Sequence, residues 1–208
     1  MTYQDTFTTK VQELITLVDE KESGNIKKAA RIILDAFKKK GVLHVFATGH
    51  SHMFAEELFY RAGGLVPIDP ILIPELMQHV GAITSTKLER VSGKAKEIFK
   101  TLDLKETEPF IIVSNSGINA VPVEMASIAK ASGHKVIVVT SLDASKKLDS
   151  RVSDKSHLYD YGDVVIDNHI PYGDFLVDTK SGWSGSASSI IGAYIAQRLV
   201  LEVIKLSR

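Results

Sequence analysis

Residues 110–133 read FIIVSNSGINAVPVEMASIAKASG. The apolar run Phe110-Ile111-Ile112-Val113 has the length and composition of a buried strand. It breaks into the polar stretch Ser114-Asn115-Ser116-Gly117-Ile118-Asn119, after which Val121, Val123, Met125, Ile128 and Ala129 recur at helical spacing until Gly133. A strand therefore feeds a helix through a loop of hydroxyls and amides. A helix start carries unpaired N–H groups and the positive end of the helix dipole, which suits a phosphate. The same residues also suit a plain turn, with Asn119 as a helix cap. Repetition of the unit decides between the two.

The unit is repeated. Val42 to Ala47 is a second short apolar run; it enters Thr48-Gly49-His50-Ser51, and a helix carrying Met53, Phe54, Leu58 and Phe59 follows, closing at Gly63-Gly64. Lys135 to Val139 is a third strand, running into Thr140-Ser141, and Val164 to Asp167 is another. Leu65 to Asp69 reads as a strand that Pro67 confines to a sheet edge. Residues 70–92 are expected to be loop, 84–102 to include a helix, and 168–184 to be a long polar connection. A closing helix spans Ser188 to Leu206, with Ser186, Ser188 and Ser189 at its start. Before the first strand, Phe7, Val11, Leu14, Ile15 and Val18 share a helical face. Glu22 to Asn25 is expected to break that helix, with Asn25 capping a second one that ends at Lys38-Lys39-Lys40-Gly41. The pattern predicts one α/β domain over residues 1–208, a doubly wound and mostly parallel sheet flanked by helices. Residues 1–41 form a helical extension packing on the domain or on a partner subunit.

In such a sheet, ligands collect beyond the carboxyl ends of the strands, where Thr48, Ser51, Ser114, Asn115, Ser116, Asn119, Thr140 and Ser141 all fall. Ser188 joins them from the last helix start. Several loops of one kind favour an anion cradle over turns that merely resemble one another. The single Gly49 does not make a dinucleotide fingerprint, and neither loop has a P-loop lysine, so a monophosphate fits better than a dinucleotide or a triphosphate and no cofactor is expected. Lys plus Arg and Asp plus Glu both total 25 among 208 residues, so net charge does not point to nucleic acid or to a membrane surface. The absence of cysteine excludes thiol catalysis and disulfides. With no apolar run long enough to span a bilayer and no secretory leader, a cytoplasmic location is expected.

TGHS before a helix and SNSGIN at a later strand end resemble the sugar isomerase (SIS) domain, whose loops read roughly G-x-G-x-S and S-x-S-G-x-[ST]. Thr48 and Asn119 are polar departures from that pattern. The resemblance covers most of residues 42–206. It implies a five-stranded parallel sheet, a homodimer or tetramer, and a sugar phosphate held by Ser51, Ser114, Ser116 and Asn119. It lies nearest the phosphoheptose isomerases and N-acetylmuramic acid 6-phosphate etherases. Aldose–ketose isomerisation of a sugar phosphate, for example a heptose phosphate, is therefore the expected activity. An etherase-like elimination and a non-catalytic phosphosugar-binding regulator are the alternatives.

Either chemistry needs a carboxylate to move a proton. Phe54-Ala55-Glu56-Glu57-Leu58 resembles the phosphoheptose isomerase helix, one turn closer to its loop serine. Adjacent helical residues point about 100° apart, so only one of Glu56 and Glu57 can face a site, and Glu57 is favoured. Glu89 is the second candidate carboxylate. His50, inside the first loop, is the acid/base histidine. His52, His79 and His169 are weaker candidates. His50 and His52 diverge too far to share a metal, so no metal site is expected.

Overall fold

The computed structural model describes residues 2–106 and 108–208. Helix α1 (Tyr3–Lys38) precedes β1 (Leu43–Ala47), a 3-10 turn (Gly49–His52) and α2 (Met53–Leu58). Next come β2 (Ile68–Ile71), a 3-10 turn (Pro74–Leu76), α3 (Gln78–Leu88), α4 (Lys94–Phe99), β3 (Phe110–Val113) and α5 (Ala120–Ala131). Strand β4 (Val136–Thr140), α6 (Leu142–Lys147), a 3-10 turn (Leu158–Tyr161), β5 (Val164–Asp167), a hairpin of β6 (Val177–Thr179) and β7 (Gly182–Ser184), and α7 (Ser188–Leu206) complete the chain. Five parallel strands are ordered β2-β1-β3-β4-β5. No helix among the described residues is long and apolar enough to cross a membrane.

The two-residue side-chain period of a strand explains the layers. Ile111 and Val113 of β3 face α1, α2 and α7, together with Val45, Ile137, Val139 and Ile166. Phe110 and Ile112 face the opposite side, packing with Val121, Met125 and Ala129 of α5 and with Ala95 and Ile98 of α4. Each strand buried on both faces reads as a continuous apolar run, as an enclosed parallel sheet demands.

Four expectations are corrected. Residues 22–25 do not break the first helix; α1 runs through them for 36 residues. Glu22 is buried against the domain, and Asn25 donates to its carboxylate at 2.9 Å instead of capping a new helix. Strand β2 is shifted to include Pro70, which pairs with Val45 at the sheet edge, where a missing N–H is tolerated. The expected loop at 70–92 holds α3, which ends at Leu88 and is separate from α4. The connection after β5 contains the β6–β7 hairpin, whose three-residue strands are too short to show a period.

Tertiary packing holds the long first helix in place. Val18, Ala29, Ala30 and Ile33 of α1 share a core with Ile191, Ile195, Leu199 and Val203 of α7. Tyr194 donates to Asp19 at 2.7 Å across the same seam. Truncating Ile195, which is fully buried, to Ala should cost about 2–5 kcal/mol in urea unfolding monitored by circular dichroism. A loss below about 1 kcal/mol would show that the seam collapses around the cavity.

Candidate functional site

Strand order reverses between β1 and β3, since the chain leaves β1 for β2 on one side and returns as β3 on the other. The loops that follow these two strands therefore part, and a cavity of about 530 Å³ opens between them. The first loop enters it through Thr48, Gly49, His50 and Ser51, the second through Ser114, Asn115, Ser116 and Asn119.

Glycine is needed once in each loop. Gly49 has φ +57°, and a Cβ there would lie 3.7 Å from Gln78 Nε2 and 3.9 Å from Glu89 Oε2. Gly117 has φ +63°, and a Cβ would come within 2.8 Å of both Ser145 Oγ and Thr140 Oγ1. The second loop is thus pressed against the start of α6. Ser114 Oγ accepts the Gly117 N–H at 3.2 Å, so this buried hydroxyl builds the turn. Asn119 makes no side-chain cap to α5; its Oδ1 accepts from Arg151 Nη1 instead. The Val121 N–H is taken by the Glu89 carbonyl at 3.0 Å, and Pro122 has none, so the first turn of α5 offers fewer free donors than a helix start usually does. Among the described residues, the Ser51 and Ser116 hydroxyls carry no hydrogen bond to another residue.

Glu89 follows the last turn of α3 and is half-buried in the cavity wall. Thr48 Oγ1 donates to its Oε2 at 2.7 Å. Burial pushes its carboxyl above the ordinary glutamate range, outweighing the opposing Thr48 hydrogen bond and the charges of Arg90 and Arg151. A carboxyl held this way keeps its proton more tightly than a solvated one.

The structure does not bring the two helix glutamates to the cavity. Glu57 turns toward α7, accepting from Gln197 Nε2 at 2.7 Å and pairing with Arg61 at 3.1 Å. Glu56 is exposed, 3.7 Å from His52 Nε2. Helix α2 begins so soon after the first loop that its carboxylates rotate away from the strand ends. His50 lines the cavity and is exposed. His52 is buried against the Gly49 carbonyl, and its ring centroid lies 5.7 Å from that of His79. His169 is tied to Glu22 of α1 at 3.2 Å and to Asp167 at 3.4 Å. Ser188 lines the cavity, yet its hydroxyl donates to Asp174 at 2.6 Å. Asp174 also accepts the Ala187 and Ser188 N–H groups, so a carboxylate of the protein occupies the place an anion would take at the start of α7. No cluster of three metal-ligating side chains occurs among the described residues.

Sequence reasoning missed Gln78 and the segment Tyr172 to Phe175, which line the cavity. Gln78 comes from the stretch read as loop. The other segment was marked only by its polar crowding; there Gly173 has φ +95°, and the Phe175 ring occupies the space a Cβ would need.

Comparison with known proteins gives a consistent result. A model of the SIS domain matches residues 6–141. A UPF0309 protein of Halalkalibacterium halodurans is 41% identical over 198 residues, covering 94% of this chain and 79% of that protein. A phosphoheptose isomerase from Francisella tularensis superposes with TM-score 0.65 at 13% identity, over 99% of this chain and 100% of that one. The Vibrio vulnificus NanR protein complexed with ManNAc-6P superposes with TM-score 0.58 at 14% identity, over 97% of this chain and 62% of that one. At such identities the two superpositions show a shared fold.

The environment of Glu89 has a measurable consequence. A carboxyl whose folded-state pKa is raised contributes stability that is fully present at low pH and is lost as pH rises through the folded value. Glutamine does not titrate. The stability of the wild type relative to Glu89→Gln should therefore be greatest at and below about pH 4, the ordinary glutamate range, and should fall as pH rises above it. Urea unfolding at a series of pH values checks this; a constant difference would show that burial does not perturb Glu89. Separately, Gly117→Ala should cost about 1–3 kcal/mol in the same assay, from its left-handed backbone and the two close oxygens.

Proposed function

Because the chain belongs to the SIS-domain family, we propose that its cavity binds a sugar phosphate and isomerises it between aldose and ketose forms. The observation that carries the reading is the convergence of the two hydroxyl-rich loops and one burial-perturbed carboxyl on a single cavity at the strand-order reversal. In this reading the Ser51 and Ser116 hydroxyls and the N–H groups of the second loop hold the phosphate as neutral donors. Glu89 takes the proton from the carbon beside the carbonyl and returns it to the neighbouring carbon. His50 moves the hydroxyl proton between the two oxygens, so that atoms and charge balance over the cycle. Thr48 occupies Glu89 Oε2, leaving Oε1 for the substrate. Glu57, engaged by Gln197 and Arg61, has no part in this scheme.

The similarity to the phosphoheptose isomerase and to the Vibrio vulnificus protein complexed with ManNAc-6P supports a sugar phosphate as ligand. A homo-oligomer is part of the proposal, as are the choice of sugar and the preference for isomerisation over elimination.

A thermal-shift screen against sugar phosphates, with unphosphorylated sugars and inorganic phosphate as controls, tests the binding half. At least one sugar phosphate should raise the melting temperature, and Ser116→Ala should abolish the shift. Against that ligand, Glu89→Gln should retain binding and lose about 10²–10⁴-fold in kcat. No stabilisation by any phosphorylated compound sinks the site assignment. Full turnover by Glu89→Gln sinks the role of the carboxyl.

A further inference from the structure

Asn168 directly follows β5 and is 3% exposed. Its N–H donates to the Thr140 carbonyl at 2.9 Å. Its side chain makes two contacts: Oδ1 accepts the Ile170 N–H at 3.0 Å, and Nδ2 donates to Asn115 Oδ1 at 2.9 Å. Asn115 is itself anchored, since its carbonyl accepts from Ser141 N–H at 3.0 Å and from Thr140 Oγ1 at 3.3 Å.

The polarity of this chain of amides follows from its first link. A backbone N–H can only donate, so the atom of Asn168 facing Ile170 must be oxygen. The atom facing Asn115 is then the amide nitrogen, which can only donate. Asn115 must meet it with oxygen, and its own NH₂ group is left for the cavity that Asn115 lines beside Ser116. No choice of side-chain flip at either residue satisfies all three groups otherwise.

We propose that Asn168 is a positioning residue: it locks the Asn115 amide so that only N–H donors face the cavity, and Asn115 thereby donates to a ligand phosphate oxygen. This rests on the reading of the cavity as a phosphate site. Three strand ends cooperate in it, since Asn115 follows β3, Thr140 closes β4 and Asn168 follows β5. The arrangement supplies a donor to an anion without adding a charged side chain, and it removes the freedom an unrestrained amide would have to present its oxygen.

Asn168→Asp keeps the acceptor for Ile170 but offers Asn115 only oxygen, so the Asn115 amide should turn over and face the cavity with its carbonyl. Asn168→Ser keeps a hydroxyl acceptor for the turn, cannot reach Asn115, and adds no charge. The experiment is calorimetric titration of inorganic phosphate into the wild type, Asn115→Ala, Asn168→Asp, Asn168→Ser, Ser116→Ala and the Asn115→Ala/Asn168→Asp double variant, each first shown to melt cooperatively. Loss of a hydrogen bond to a charged group predicts about ten-fold or greater weakening in Asn115→Ala and in Asn168→Asp, with Asn168→Ser weakened less. The double variant should bind no more weakly than Asn115→Ala, because Asn168 acts through Asn115. If the losses multiply in the double variant, Asn168 acts on its own, through charge or general structure, and the relay is overturned. If phosphate binds and Ser116→Ala weakens it while both Asn168 variants bind as the wild type does, the relay falls and the phosphate site stands. If the wild type takes up neither inorganic phosphate nor any sugar phosphate of the thermal-shift panel, the site reading fails and the relay goes with it.

Discussion

Five parallel strands in the order β2-β1-β3-β4-β5 must separate the connections that leave β1 and β3, and the rest of the molecule depends on that constraint. Parallel strands cannot be joined by tight turns, so each returns through a crossover packed on one face or the other. Where the order reverses, neighbouring crossovers go to opposite faces and nothing fills the space above the strand ends. The cavity is this gap. The loops at the ends of β1 and β3 form two of its walls, Gln78, Glu89 and the segment Tyr172 to Phe175 contribute others, and Gly49 and Gly117 allow each loop to turn within a few residues.

The proposed phosphate site would hold an anion mainly through neutral groups. Hydroxyls, amides and loop N–H groups surround the gap, while Arg151 approaches its edge through Asn119. Neutral donors fixed before the ligand arrives need little reorganisation, which is the physical advantage of a preorganised polar site. Such a site is only as good as the groups that hold its donors in place. Ser114 is spent on closing its own loop and Asp174 on satisfying α7, so several polar residues near the cavity serve its shape. Glu89 lines the same cavity with a carboxyl that burial pushes above the ordinary glutamate range.

Much of the fold was legible in the residues. Phe110 to Val113 and Val136 to Val139 are unbroken apolar runs because they are covered on both faces, and enclosed parallel strands leave no other pattern. The loops were legible for a related reason: hydroxyls and glycine directly after such runs have no role in the core. Glu57 shows where that kind of reading stops. It stands at a plausible sequence distance from Ser51, but distance along a chain does not set direction, and the early start of α2 turns its carboxylate to Gln197. Glu89 is 38 residues beyond Ser51, as the difference of 89 and 51 gives, and it reaches the site because the Val121 N–H ties the end of α3 to the start of α5.

The sequence by itself determined the α/β class, the strands that form the sheet, and the two loops that stand at its carboxyl edge. These follow from local periodicity and from turn chemistry, which act over a few residues. Only the tertiary structure decided that α1 runs unbroken past Gly24, that Glu89 and not Glu57 lines the cavity, and that Asn168 meets Asn115 across 53 residues of sequence. Those outcomes depend on which surfaces become buried together. Burial decides whether Glu22 is solvated or packed, and whether an amide bonds to water or to another amide, and neither can be read from residues that are neighbours only along the chain.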